Sequence, residues 1–371
     1  MRSRPPFRAD HVGSLLRPPQ LVAAREQFRQ DQLSADALRS VEDAAIREVV
    51  AQQQEVGLQS VTDGEFRRAY WHVDFLTRFS NVQQVPSPVS VSFHSESGAV
   101  QMQPSALRVT GRLDRPQPIF VEDFRFLQSV ARAMPKQTLP SPSVLHFRGG
   151  RGAIDREAYP DLEQFYDDLA RVYALEIADL AAAGCRYVQL DEVNFAYLCD
   201  PKFRDQVRAM GEDPERLPHR YARLINRSIA GRPADMVVCL HLCRGNFESS
   251  WLAEGGYEPI ADTLFNEVEA DGYFLEYDSP RAGDFSPLRR VPRDKTVVLG
   301  LVTSKHAALE SAADLARRID EAARYLPLEQ LALSPQCGFA SAGRGNRLSR
   351  EEQFAKLRRV VEVARQVWGD A

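Results

Sequence analysis

Eight short apolar runs, separated by longer stretches of helical rhythm, set the pattern of this 371-residue chain; they centre on Val12, Val61, Leu139, Val188, Val238, Phe274, Val298 and Leu333. Runs such as Met236-Val237-Val238-Cys239-Leu240 are too short for a buried helix and have no polar face, the signature of strands covered on both sides. Between them the period changes. From Ser34 to Val56, Leu38, Val41, Ala45, Ile46 and Val49 recur at helical spacing, with Ser34 placed as N-cap and Gly57 beyond the last turn. Asp161 to Ala183 repeats the pattern with Phe165, Leu169, Val172, Tyr173, Ile177 and Leu180 on one face and Gly184 after the end. Further helices are expected over Val121–Ala133 and near Arg350 to Trp368. Eight strands alternating with helices predict an α/β fold of the TIM (β/α)8 barrel type, with residues 1–371 as a single catalytic domain.

Two stretches depart from this rhythm. Within about 80–118, Val89-Ser90-Val91-Ser92-Phe93 and Leu107-Arg108-Val109-Thr110 alternate like antiparallel strands around a polar turn, which predicts an inserted β-hairpin. The third strand, Leu139-Pro140-Ser141-Pro142-Ser143-Val144, carries two prolines that a sheet interior tolerates poorly, and a loop rich in glycine and arginine follows it, Arg148-Gly149-Gly150-Arg151-Gly152.

Composition narrows the class of partner. Apolar residues make up 44% and charged residues 26%, which excludes a disordered chain, and a net charge of −4 argues against a nucleic-acid surface or a basic membrane-binding face. The N-terminus lacks the apolar core of a secretory signal, and no stretch reaches the roughly 20 apolar residues of a membrane span. A cytoplasmic protein acting on small molecules is expected. The sequence leaves open whether it forms a homo-oligomer. Five cysteines (185, 199, 239, 243, 337), odd in number and unevenly spaced, do not form a disulfide framework, so reduced thiols are available as ligands or core residues.

In such a barrel the chemistry lies at the C-terminal ends of the strands. Reactive side chains fall there repeatedly: Glu65 after the second strand, Asp191 after the fourth, His241 and Cys243 after the fifth, Glu276 after the sixth, His306 after the seventh and Cys337 after the eighth. Alone, each has an ordinary reading. A His-x-Cys on an apolar strand is usually core, Glu276 could be neutralised by an arginine, Cys337 could be a small buried loop residue, and His306 could open a helix near Ala307-Ala308-Leu309-Glu310. Together, His241, Cys243, Glu276 and Cys337 make a plausible tetrahedral zinc shell, with Cys185, Cys199 and Cys239 left as core. Two thiolates and a carboxylate would leave the ion with net negative charge, which suits activation of a bound thiol for S-alkylation better than hydrolysis.

These residues resemble the catalytic barrel of cobalamin-independent methionine synthase. The similarity lies in His241-Leu242-Cys243, Phe274-Leu275-Glu276 and Ser334-Pro335-Gln336-Cys337-Gly338, and also in His11-Val12-Gly13-Ser14, Asp63-Gly64-Glu65-Phe66, Gln189-Leu190-Asp191-Glu192 and His306. The resemblance implies zinc (Zn2+) held by His241, Cys243, Glu276 and Cys337. It implies that Val12, Gly13 and Ser14, with Glu65 and Asp191, hold the amino-acid end of a homocysteine-like thiol, and that His306 is the proton donor to the leaving group. A methyl donor would be the second small-molecule partner. The match is weaker on that side: Leu145-His146-Phe147-Arg148 lacks the tryptophan expected to stack on a pterin, and Tyr197 falls where an acidic pterin ligand would stand, while Tyr70 and Trp71 are candidate pocket residues. The expected activity is zinc-dependent methyl transfer to the sulfur of homocysteine or a related thiol, from methyltetrahydrofolate or another methyl carrier. Its alternatives are an alkyl-thiol transferase of the epoxide:coenzyme M type and a non-catalytic zinc- or thiol-binding barrel.

Overall fold

Six parallel strands, β7 to β12, form one sheet in chain order: β7 (Gln137–Pro140), β8 (Tyr187–Asp191), β9 (Val237–Leu242), β10 (Gly272–Glu276), β11 (Thr296–Val302) and β12 (Leu331–Pro335). The computed structural model describes residues 4–86, 91–95, 98–102, 105–343 and 345–371. Two shorter segments close the sheet into a barrel. β1 (Ser60–Val61) pairs in parallel with β6 (Met134–Pro135), which runs into β7 through Lys136, whose N–H donates to Val61 O at 2.8 Å. Arg8 to Asp10 then bridges to β12 through Leu333 N to Arg8 O (2.9 Å) and Asp10 N to Leu333 O (3.0 Å), while Leu15 N donates to Gly64 O (3.0 Å) on the side of β1. All eight expected positions are thus occupied, as in a TIM barrel. Val12, Tyr187, Val237, Cys239, Phe274, Val298 and Ala332 pack together as its interior.

The first two segments are shorter than their apolar runs predict. The first segment makes only the Ala9–Leu333 bridge, with no strand over 10–18, and the strand expected from Leu58 stops at Val61, because Gly64 and Glu65 both turn left-handed (φ +69° and +60°). The third strand ends at Pro140, and Val144–Phe147 is one helical turn instead of strand, since Pro140 and Pro142 have no N–H to give the ladder.

The helices follow the apolar faces closely. Ala35–Glu55 is capped by Ser34, whose Oγ accepts from Ala37 N at 3.2 Å, and Gly57 is left-handed (φ +96°). Leu162–Ala182 is capped by Asp161, and Arg350–Trp368 begins with a reciprocal Ser349–Glu352 capping box. Val121–Val130 stops three residues early, and the chain straightens into β6. The helix expected near Ala307 starts at Ala312 instead, where Ser311 supplies the N-cap, so His306 stands on a loop.

The insertion is a two-stage hairpin whose pairing differs from the expected one. β2 (Val82–Pro86) pairs with β5 (Ser105–Val109), and β3 (Val91–Ser95) with β4 (Gly98–Met102). The expected residues Val89 and Ser90 lie outside the described residues. Alternation assigns faces but says nothing of which strand is the neighbour. The hairpin returns to the barrel through two backbone hydrogen bonds between His94 and Trp251 (2.7 and 2.8 Å) and a contact of the Phe93 and Phe247 rings (5.5 Å).

Candidate metal centre and its cavity

Strand alternation turns Cys239 and His241 of β9 to the barrel interior, and Cys243 follows where the strand ends. The loop after β12 brings Cys337 to the same place. Ligand atoms of His241, Cys243 and Cys337 all lie within 4.8 Å of one another, and all three residues are buried. Among the described residues, neither ring nitrogen of His241 has a hydrogen-bonding partner. An imidazole buried in that state beside two sulfurs is the arrangement a thiophilic cation completes. The two thiols and the imidazole act on one another: Cys337 and His241 beside it hold Cys243 well below the usual thiol range, and Cys243 pushes Cys337 well above it. The other cysteines behave as core, burial pushing Cys185 and Cys199 up to about 12.

Glu276, at the end of β10, is fully buried and placed differently from the other three. Its Oε1 accepts from Arg281 Nε at 3.0 Å and its Oε2 from Arg244 N at 2.9 Å. Burial alone would raise its pKa, but Arg281, Lys305 and Arg244 outweigh it and keep the group a carboxylate. The arginine partner considered for Glu276 is therefore present, and three of the four predicted ligands converge.

These three cations were not singled out from the sequence. Arg244, wholly buried, reaches Tyr257 Oη (3.0 Å) and Gly255 O (Nε, 3.0 Å), and Lys305 Nζ points at Gly245 O and Ser250 O (3.3 Å each). The signal available was indirect: two thiolates and a carboxylate at one barrel end require buried positive charge.

Two further carboxylates open into the same cavity. Glu65 and Asp191 are 3% and 7% exposed, so each needs a partner. Thr138 Oγ1 donates to Glu65 Oε1 (2.9 Å) with Arg68 at 3.5 Å, but Glu65 Oε2 has no partner; Asp191 Oδ1 accepts from Gln189 Nε2 (2.8 Å). Burial, then the charge of Glu65, raises the Asp191 pKa to about 7. A cation between them would relieve both effects. The loop that carries Val12, Gly13 and Ser14 is tied to the Cys337 loop by Phe339 N to Ser14 O (2.9 Å) and fits so closely that a Cβ on Gly338 would lie 1.9 Å from Ser14 Oγ. Buried Arg17 pins the Glu65 turn through Glu65 O (2.9 Å) and Arg68 O (2.7 Å), a clamp the sequence did not suggest.

The cavity, about 1000 Å3, is lined by Val12, Ser14, Glu65, Asp191, His241, Cys243 and Cys337, and by Tyr70 and Trp71. Gly13 and Glu276 stand behind this lining; His306 is exposed on the loop after β11 and is not part of the cavity wall.

Residues 7–366 match the family model described as the catalytic domain of cobalamin-independent synthase. The chain belongs to the cobalamin-independent methionine synthase family. It is accordingly an enzyme of the methyltransferase class. It is 46% identical over 365 residues to YxjH, an uncharacterized protein of Bacillus subtilis, covering 98% of this chain and 95% of that one. A crystal structure from Listeria monocytogenes, described as a candidate vitamin-B12-independent methionine synthase, is 39% identical with a TM-score of 0.77 and full coverage of both chains. A B12-independent methionine synthase from Shewanella sp. W3-18-1, solved in complex with selenomethionine, shares the fold (TM-score 0.72, 20% identity, 97% of each chain). Among the described residues no helix is long and apolar enough to cross a membrane.

Proposed function

We propose that this family member is a zinc-dependent methyltransferase that methylates the sulfur of homocysteine or a closely related thiol. The observation that carries the reading is the convergence of an unpartnered, buried His241 with Cys243 and Cys337 in the cavity that also holds Glu65 and Asp191. His241, Cys243 and Cys337 would hold the metal, with Glu276 beside them as fourth ligand, exchanging its Arg281 partner for the ion. Zinc bound there would lower the pKa of a substrate thiol so that it reacts as thiolate at neutral pH.

The remaining work falls to the chain's own groups. Glu65 and Asp191 receive the substrate ammonium, and the segment Val12-Gly13-Ser14 lies beside them to receive its carboxylate, which orients the sulfur. Buried Lys305 and Arg244 and the half-buried Arg281 balance the negative ligands, and the hairpin residues Phe93 and Leu107 cover the cavity and exclude water. In the transfer, sulfur bonds to the methyl carbon as the bond to the donor breaks, its electron pair leaving with the donor. His306 would reach that leaving group only if its exposed loop folds inward.

The selenomethionine complex of the Shewanella relative, a methylated selenium analogue of the same product class, favours homocysteine among thiols. The test is metal analysis with homocysteine titration followed at the zinc edge. The reading expects about one zinc per chain and a change in zinc ligation on adding homocysteine, both lost in Cys243→Ser and Cys337→Ser. Protein purified without chelator that carries no zinc and binds no homocysteine would sink it.

A further inference from the structure

Away from the sulfur cluster and the amino-acid end, the charge in the cavity lining is of one sign. Glu65 and Asp191 are its only carboxylates among the described residues, whereas Arg108, Arg148 and Lys202 are cations. Arg148 belongs to the glycine-arginine loop. That loop has little freedom: a Cβ on Gly149 would lie 2.3 Å from Ala153 Cβ, and Gly150 is left-handed at φ +52°. Its two arginines are used differently. Arg151 holds the loop together, donating to Ile154 O (3.2 Å) and Tyr159 O. Arg148, open to the cavity, makes one hydrogen bond among the described residues, Nη1 to His72 Nε2 at 3.1 Å, and no described carboxylate pairs with it.

His72 cannot supply the missing negative charge. It is 4% exposed, its Nδ1 has no partner, and burial, with Arg148 beside it, holds its pKa well below the usual imidazole value, so it is neutral and simply aims the guanidinium. The same cavity wall carries aromatic and apolar residues: Phe147 beside Tyr197 (6.0 Å between centroids), Tyr197 stacked on Phe203 (4.7 Å, 16°), and Met210. A guanidinium without a carboxylate partner beside a patch of aromatic rings matches an anion carried on a flat or apolar body.

Resting on the reading above, in which a methyl donor shares this cavity with the thiol, we propose that Arg148 binds an anionic group, carboxylate or phosphate, on that donor. A pterin presents a hydrogen-bond-donating N–H and amino edge, which calls for a carboxylate in the wall. The lining has none beyond the two at the amino-acid end, and Tyr197 stands where the family resemblance placed one. The charge pattern selects a donor recognised through its negative end.

The experiment uses the zinc-loaded protein with homocysteine present, titrated calorimetrically at low salt with benzoate, phenyl phosphate and neutral benzamide. Benzoate or phenyl phosphate binds, the tighter of the two naming the anion class, and benzamide does not. Arg148→Gln weakens the anion at least tenfold, Arg148→Lys retains part of the affinity, and both variants keep zinc and homocysteine. The proposal is overturned if benzamide matches the anions, if no anion binds, or if Arg148→Gln leaves their affinity within twofold while zinc and homocysteine still bind. Wild-type protein that binds neither zinc nor homocysteine overturns the parent reading and this one with it.

Discussion

His241 and His11 are both buried imidazoles with neither ring nitrogen hydrogen-bonded, and their surroundings separate their roles. His241 faces two sulfurs and two carboxylates; His11 sits against Lys136, and burial, then that ammonium, push its pKa down to about 3. The folded pKa of His11 lies below the unfolded value near 6.5, so its contribution is fully present above about pH 6.5 and is lost as pH falls toward 3, where only the unfolded chain takes up a proton. The urea midpoint is expected to fall between pH 7 and pH 5 in the wild type and to fall less in His11→Gln. For the carboxylates, Glu65→Gln or Asp191→Asn removes one charged hydrogen bond of about 1.5–3 kcal/mol, weakening homocysteine roughly 10- to 100-fold by calorimetry. Zinc content is expected to stay unchanged. A parallel loss of zinc would show that these residues shape the metal centre instead of the amino-acid site.

At the scale of elements, the site depends on loops held together by close backbone approach. Ser14 and Gly338 come from opposite ends of the chain, and no side chain fits between them. Gly338→Ala is therefore expected to cost about 1–3 kcal/mol through overpacking, and, by displacing Cys337, to lower zinc occupancy. Gly152→Ala, where a Cβ meets nothing within 4 Å, is the control and should leave both unchanged. The hairpin shows where periodicity loses information: alternation marks 89–93 and 107–110 as strands, but β3 pairs with β4 and β2 with β5, a choice of neighbour that polarity does not encode.

Across the whole molecule, closure of the barrel relies on a buried polar group at its weakest seam. Asp10 accepts from Ser60 Oγ (2.9 Å), Lys136 Nζ (2.9 Å) and Tyr187 Oη (2.8 Å), and Gln189 Nε2 donates to Val12 O (2.6 Å). These contacts tie the first segment to β1, to the β6–β7 junction and to β8, where a regular ladder is missing, and so place Val12-Gly13-Ser14 at the site. Lys136→Met leaves the Asp10 carboxylate buried without its counter-charge and is expected to cost about 3–5 kcal/mol in urea unfolding. The double variant with Asp10→Asn should recover much of that loss; equal instability of the double variant would mean that the ion pair is not what matters at this seam.

What the chain determines locally was legible from its residues. Ser34, Asp161, Gly57 and Gly184 bound the helices because capping and left-handed turns act over a few neighbouring residues. Apolar runs marked the barrel positions, and strand alternation with loop position brought His241, Cys243 and Cys337 to one end. Tertiary structure decided what depends on partners distant in sequence: the hydrogen bond of Arg244 N to Glu276 across 32 positions, the buried Lys305, the clamp of Arg17, and the Asp10–Lys136 pair across 126 positions. The same holds for His306, left exposed, and for Arg148, left without a counter-ion. Capping and alternation are short-range properties of the backbone, whereas a buried charge is defined by whatever the fold places within a few ångströms of it.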